Sequence, residues 1–327
     1  MHLVTGATGF LGSAVARRLL AAGNSVRVTV RKGSDRRNLQ GLDVEVVTAD
    51  LRDSASMARA MKGCDAVFHV AADYRLWTRD VEGMFKTNVD GSVAIVRAAM
   101  DAGIQRIVYT SSVAVLGIDP TGTPANEETP VSFADMIGPY KQSKFRAEEA
   151  VRALIADEGA PVVIVNPSTP IGPRDVKPTP TGKVIVDAAT GKIPAFVDTG
   201  LNVAHVDDVA EGHVLAFHKG QIGERYILGG DDMALADILR VVAETVGRKP
   251  PTVKLPHGLI MPIAYMAEAW ATMFGGEPFV VVDGVKMARK KMFFSCAKAE
   301  TDLGYTHRAG GDAIRDAVAW FQAEGYV

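Results

Sequence analysis

The chain has 327 residues, 47% of them hydrophobic, and its 36 basic and 38 acidic side chains leave a formal net charge of -2. That length buries a large core, either as one α/β unit or as a main domain with a smaller lobe. The near balance of charge excludes the broad basic field that a nucleic-acid or whole-surface membrane partner requires. Two distant cysteines, Cys64 and Cys296, suggest neither a disulfide framework nor a metal-ligand set, so no metal is predicted and a reducing, cytoplasmic compartment is. The opening MHLVTGATG runs straight into an apolar strand and a glycine turn, leaving no room for a secretion signal.

In chain order, HLVT reads as a first strand, followed by a turn, Gly6-Ala7-Thr8-Gly9-Phe10-Leu11-Gly12, and by a helix, LGSAVARRLLAAG, that stops at Gly23. Strand, glycine turn and helix together form a dinucleotide cradle. Gly6 permits the tight turn, Gly9 lets the backbone approach a pyrophosphate, and Gly12 lets helix and strand pack closely. The second strand, SVRVTV, ends in a run of cations, Arg31-Lys32-Gly33-Ser34-Asp35-Arg36-Arg37. An acid is the usual partner of the NAD ribose near this point, about 20 residues past the turn, whereas a guanidinium pairs a 2′-phosphate. Arg31, helped by Arg36 or Arg37, therefore predicts NADP(H) over NAD(H). Asp50 and Leu51 follow the third strand, VEVVT, with Asp50 placed to meet the adenine amino group.

A glycine-ended helix, SASMARAMKG, leads to the fourth strand, AVFHV, where His69 reads as a core histidine. Tyr74 and Trp77 fall at the strand's C-terminal end, where open α/β sheets place ligands. The fifth strand, RIVYT, leads into Ser111 and Ser112. Tyr140-Lys141-Gln142-Ser143-Lys144 then opens an amphipathic helix just past Pro139. A spacing of four puts Tyr140 and Lys144 on one face, where an ammonium can stabilise a phenolate.

After the sixth strand, PVVIVN, the five prolines between Pro167 and Pro180 predict a long ordered loop leaving the sheet. Asn166 and Arg174 flank this loop as candidate substrate contacts. Asp207 and Asp208 read as structural, holding the lobe. The run LIMPIAYMAEAWATMF, 259 to 274, has 16 residues, short of the ~20 that span a bilayer. It reads as a core or lid helix whose Met261, Met266 and Met273 face the interior, with peripheral lipid contact as the alternative. The chain ends in a helix, DAIRDAVAWFQAEGYV. The division expected is a Rossmann-type doubly wound domain, 1–167, and a substrate lobe, 168–327, with some segments returning to the first.

TGATGFLG, HVAA, TSSVAVLG, YKQSK, VNPSTPIGP and HVDDVA together resemble the extended short-chain dehydrogenase/reductases, essentially end to end. The resemblance implies a Ser112, Tyr140 and Lys144 triad, with Lys144 also holding the nicotinamide ribose, Ala71 and Ala72 beside the cofactor, and Pro167 and Ser168 in the loop that contacts the nicotinamide. HVAADYRLW, DRRNLQGLDVE and VNPSTPIGPRD are most similar to hopanoid-associated sugar epimerases and to dihydroflavonol 4-reductases. Three functions follow as expectations: an NADP(H)-dependent oxidoreductase of a sugar-like or other small hydroxylated molecule, a redox-neutral sugar epimerase using the same triad, and a non-catalytic NADP-binding sensor. A homodimer is a further possibility.

Overall fold

Seven strands form one parallel sheet, and each contributes neighbouring side chains to opposite faces. The computed structural model describes residues 1–119 and 121–327. Its first half alternates β1 (His2–Thr5), α1 (Phe10–Ala21), β2 (Val26–Val30), β3 (Glu45–Thr48), α2 (Ser54–Met61) and β4 (Ala66–His69). Helix α3 (Val81–Phe85) passes through a π turn into α4 (Gly91–Asp101), followed by β5 (Arg106–Thr110), α5 (Gly138–Glu158) and β6 (Val162–Pro167). Then come β7 (Thr169–Ile171), α6 (Pro180–Ala189), β8 (Ala195–Phe196), β9 (Gly200–His205), α7 (Val206–Lys219) and β10 (Arg225–Leu228).

The large sheet has the order β3-β2-β1-β4-β5-β6-β10. Val4, Phe68, Val108 and Val163 share one core with Val15 and Leu19 of α1 and Val209 of α7. The residues beside them, Leu3, Val67, Ile107 and Ile164, share the other with α2, α4 and α5. This two-sided burial is why these strands are continuous apolar runs, and why a single residue's slip is excluded. The chain order reverses between β1 and β4, so the crevice at their C-terminal ends is the ligand position of a doubly wound sheet. β10 and α7 lie beyond residue 168 yet complete this layer.

The remaining elements are β11 (Asp231–Ala234), α8 (Leu235–Thr245), β12 (Val253–Lys254), α9 (His257–Phe274), α10 (Val282–Met287), β13 (Lys291–Met292), α11 (Ala297–Leu303) and α12 (Gly310–Ala323). β9 pairs with β7, β11 and β13 in a second sheet, and α6, α8 and α12 close a separate core through Ile185, Ile238, Ile314 and Phe321.

Two sequence expectations need correction here. The proline-rich segment is not loop throughout: Pro170 lies within β7, and Pro180 starts α6, where its missing N–H is one no helix would pair. Met266 and Met273 are not core residues, because α9 turns Ala264, Ala267 and Ala271 inward and leaves these methionines 65% and 75% exposed. Met261 packs against the small Val282 and Val285 cluster as expected.

Candidate active site

The glycine turn has the conformation a dinucleotide cradle needs. Gly6 has φ 73°, and a Cβ there would lie 2.8 Å from the Ala71 backbone; a Cβ on Gly12 would lie 2.2 Å from the Gly6 carbonyl oxygen. A Cβ on Gly9 would meet only that carbonyl, at 3.2 Å, so the side facing away from the turn is open at the α1 N-terminus. Phe10 and Leu11 pack their side chains against the core, which fixes this turn to the sheet. Ala71 N–H donates to Thr5 Oγ1 at 3.2 Å, and Thr5 in turn pairs with His69 Nδ1 at 2.8 Å. With Ser92 on its other nitrogen at 3.3 Å, His69 is a fully partnered core residue, and burial takes its pKa down to about 3.

Beside the turn, Asn38 Nδ2 donates to Thr8 O at 3.2 Å while Arg17 donates to the Asn38 carbonyl. These bonds fasten the basic loop over the cradle, and the sequence reading overlooked them. Arg31 and Arg36 are exposed, with no ion pair among the described residues. Arg37 is committed: its Nε and Nη2 reach Asp35 at 2.9 and 2.7 Å. Asp50, expected at the adenine amino group, already has a partner within the protein. Both its oxygens accept from Arg52, which holds its carboxyl down to about 2, with the nearby Arg31 charge adding to the effect. Leu51 is partly buried and packs beside Gly91.

Ser112 caps a short 3₁₀ turn after β5, accepting from Ala114 N–H, and its hydroxyl lies on the side of the Tyr140 phenol, near enough to influence its ionisation. Tyr140 lies in the first turn of α5 with Pro139 ahead of it, and Lys144 follows one turn later. Burial raises the Tyr140 pKa above the usual phenol value, and the Ser112 hydroxyl opposes that rise. Lys144 is anchored on the end of β5. Its Nζ donates to Thr110 O at 2.9 Å and lies 5.2 Å from the Tyr109 ring centroid. Burial lowers its pKa to about 8, against the raising effect of Glu148. The geometry therefore holds a protonated phenol beside a serine hydroxyl.

Glu148, one further turn along α5, is buried, accepts from Asn166 Nδ2 at 2.9 Å and pairs with Arg225 at 3.1 Å. The spacing Tyr140, Lys144, Glu148 was a readable signal for this third member of the helix face. Asn166, expected at the substrate, is fully buried, and its amide also donates to Ser112 O at 3.1 Å, so it braces the catalytic strand. Asn88 ties α5 to the segment after β4: its amide donates to Ser143 Oγ at 2.9 Å and to Asp73 O at 2.9 Å.

Arg174, the other candidate substrate contact, is also corrected. Its guanidinium pairs with Asp207, and its backbone takes φ 76°, so it pins the loop after β7. Asp208 holds Arg308 in a two-pronged pair, with Nη2 at 2.6 Å, making both aspartates structural as expected. Tyr74 stays 43% exposed, and burial together with the neighbouring Asp175 and Asp73 raises its phenol pKa. Trp77 is half-buried with Arg79 5.8 Å over its ring. Asp175, absent from the sequence reading, is buried; its Oδ2 accepts from Thr179 N and Oγ1 at 2.8 Å, and burial pushes its carboxyl up to about 6.

A dinucleotide fits this crevice. Ala72 remains partly exposed, Pro167 closes β6, and Ser168 Oγ is buried with no hydrogen-bond partner among the described residues, so it is free to bond a cofactor. Elsewhere, Cys296, Glu300 and His307 approach one another within 4.8 Å, and the Cys296 thiol donates to Glu300 Oε1 at 3.3 Å.

Residues 2–229 match the NAD dependent epimerase/dehydratase family. A Synechocystis sp. protein provisionally described as a dihydroflavonol 4-reductase is 44% identical, the alignment covering 99% of this chain and 95% of that one. Sterol demethylase protein B of Methylococcus capsulatus is 34% identical, with 99% of both chains covered. The crystal structure of PA4631, a nucleoside-diphosphate-sugar epimerase from Pseudomonas aeruginosa, is 30% identical and superposes with a TM-score of 0.80 over 99% of this chain and 98% of that one.

Proposed function

Because the chain belongs to the NAD dependent epimerase/dehydratase family, and is thus an NAD(P)-dependent enzyme, we propose that it is an NADP(H)-dependent reductase of a small ketone or aldehyde. Residues 1–167 would hold the cofactor, and 168–327 would shape most of the substrate side. The observation that carries the reading is the convergence of Tyr140 and Lys144, one turn apart on α5, on the end of β5 that bears Ser112, with burial favouring the protonated phenol, since a carbonyl reduction needs a proton donor at the reacting oxygen.

A reduced nicotinamide supplies the hydride that adds to the carbonyl carbon. Ser112 donates a hydrogen bond to the carbonyl oxygen and orients it. Tyr140 transfers its phenolic proton to that oxygen as the C–O bond becomes single, and the phenolate left behind is stabilised by the Lys144 ammonium, released from Thr110 O. Lys144 also holds the nicotinamide ribose. The turn from Gly6 to Gly12, with Thr8, Phe10 and Leu11, cradles the pyrophosphate at the α1 N-terminus. Leu51, Ala71, Ala72, Pro167 and Ser168 line the remaining cofactor crevice.

Arg31 and Arg36 pair the 2′-phosphate, Arg36 rather than Arg37 because Asp35 already holds the latter. The half-exposed Tyr74 and Trp77 rings suit a substrate with an apolar portion. The name of the Methylococcus relative, sterol demethylase protein B, supports including sterol-like compounds among the first substrates to test. The likeness to the Pseudomonas epimerase favours a second reading, reversible oxidation and reduction of a sugar carbinol on the same triad. Stoichiometric NADPH consumption over many turnovers would establish the reductase, and a cofactor that ends each cycle oxidised would replace it with the epimerase.

A further inference from the structure

We propose that the outward face of α9 docks on an anionic lipid bilayer. The helix inverts the usual arrangement of a surface helix. Its inward stripe is alanine, Ala264, Ala267 and Ala271, while Leu259, Tyr265, Met266, Trp270, Met273 and Phe274 are between 57% and 75% exposed. Its one acidic residue, Glu268, is turned aside to accept from Val282 N–H at 2.7 Å, so the outward face carries no charge. Phe279, just past the helix, extends the apolar surface. No helix among the described residues is long and apolar enough to cross a membrane, so the contact is with the interface.

Charge chooses the occupant. From Arg248 to Ser295 the chain carries seven Lys and Arg and three acids, a local excess of +4 in a chain of net -2. His257 Nε2 pairs with Ala288 O at 2.9 Å, which sets the turn bearing Arg289, Lys290 and Lys291 beside the start of α9. These three cations are exposed and make no ion pair among the described residues. Exposed tryptophan, tyrosine and methionine next to unpaired lysine and arginine is the composition of a helix lying in the headgroup region of acidic lipids. A second copy of the chain would instead bring an identical basic cluster close to this one across a two-fold contact.

The position has a consequence for access. Arg79 donates to Ala271 O at 2.5 Å and to Thr272 O at 3.0 Å, joining α9 to the segment that carries Tyr74 and Trp77. At the other side, Asp283 of α10 packs against Gly138, the first residue of the helix bearing Tyr140. A bilayer under α9 would therefore lie near the substrate side of the crevice.

The test is co-flotation of the full chain with phosphatidylcholine vesicles, with and without phosphatidylglycerol, for the wild type, for Trp270→Glu with Met273→Glu, and for Arg289→Glu with Lys290→Glu. NADPH binding and the thermal melt confirm that each variant is folded. Expected are binding that requires phosphatidylglycerol, weakens in salt, and falls by about tenfold or more in both variants. Wild-type protein that stays unbound on acidic vesicles, or folded variants that bind as well as wild type, would overturn the proposal. So would a wild-type dimer in sedimentation velocity that the Trp270→Glu, Met273→Glu variant dissociates, since that assigns the face to a second copy.

Discussion

Replacing Glu148 separates its two roles. Glu148→Ala leaves the Arg225 guanidinium and the Asn166 amide without their buried partner, contacts of 3.1 and 2.9 Å. Removing one member of a buried ion pair costs about 3–5 kcal/mol. Unfolding entropy near 2.1 cal/mol/K per residue, applied to 327 residues, makes 1 kcal/mol worth roughly 1.5 °C in Tm, so the expected fall is about 4–7 °C. Glu148→Gln keeps the shape and an acceptor for Asn166, and should lose about half as much.

The second role is electrostatic. Burial draws Lys144 down to about 8, and Glu148 is the charge that raises it. Without that carboxylate, Lys144 gives up its proton at lower pH, and the alkaline limb of kcat/KM moves in the acid direction. Differential scanning calorimetry and a pH–rate profile on Glu148→Gln measure the two effects on one protein. A Tm within 1 °C of wild type together with an unmoved alkaline limb would refute this reasoning.

At the cofactor end, Arg31→Glu should weaken NADPH binding by about a hundredfold and leave NADH nearly unchanged, read by fluorescence titration. Arg36→Ala should cost more NADPH affinity than Arg37→Ala in the same titration, because Arg37 is already paired with Asp35. Gly12→Ala would force a Cβ to within 2.2 Å of the Gly6 carbonyl, so NADPH binding should be lost even where folded protein is recovered. Asp175 carries a pH signature: its folded pKa of about 6 lies above the ordinary carboxylate value, so its stabilising share is complete below about pH 4 and disappears as pH rises through 6. Urea melts across that window should show wild type losing stability relative to Asp175→Asn, and parallel curves would remove Asp175 as the cause.

The sheet was legible because both of its faces are buried, which makes β1, β4, β5 and β6 apolar runs whose bounds fall within a residue of those read from sequence. Gly23 and Gly63, both at positive φ, end the two segments that sequence reads as helices. The Tyr140 and Lys144 pair was legible because a helix converts a spacing of four into one face. What was hidden depends on side chains that meet from distant segments. Glu148 meets Arg225 only after β10 joins the sheet, and the choice between Arg36 and Arg37 rests on where the Asp35 carboxylate turns. Helix α9 was misread for another reason. Apolar periodicity marks a stripe but not its direction, and with alanines and large side chains both in register, only packing shows that the alanines face inward.

The central claim is that Tyr140 delivers the proton in an NADPH-dependent carbonyl reduction. It is tested most directly by Tyr140→Phe, following the absorbance of reduced nicotinamide with a ketone the wild type turns over and measuring NADPH affinity alongside. The account predicts unchanged NADPH affinity with turnover reduced by about 10²–10⁴. A Tyr140→Phe enzyme that binds NADPH normally and keeps full turnover would contradict it.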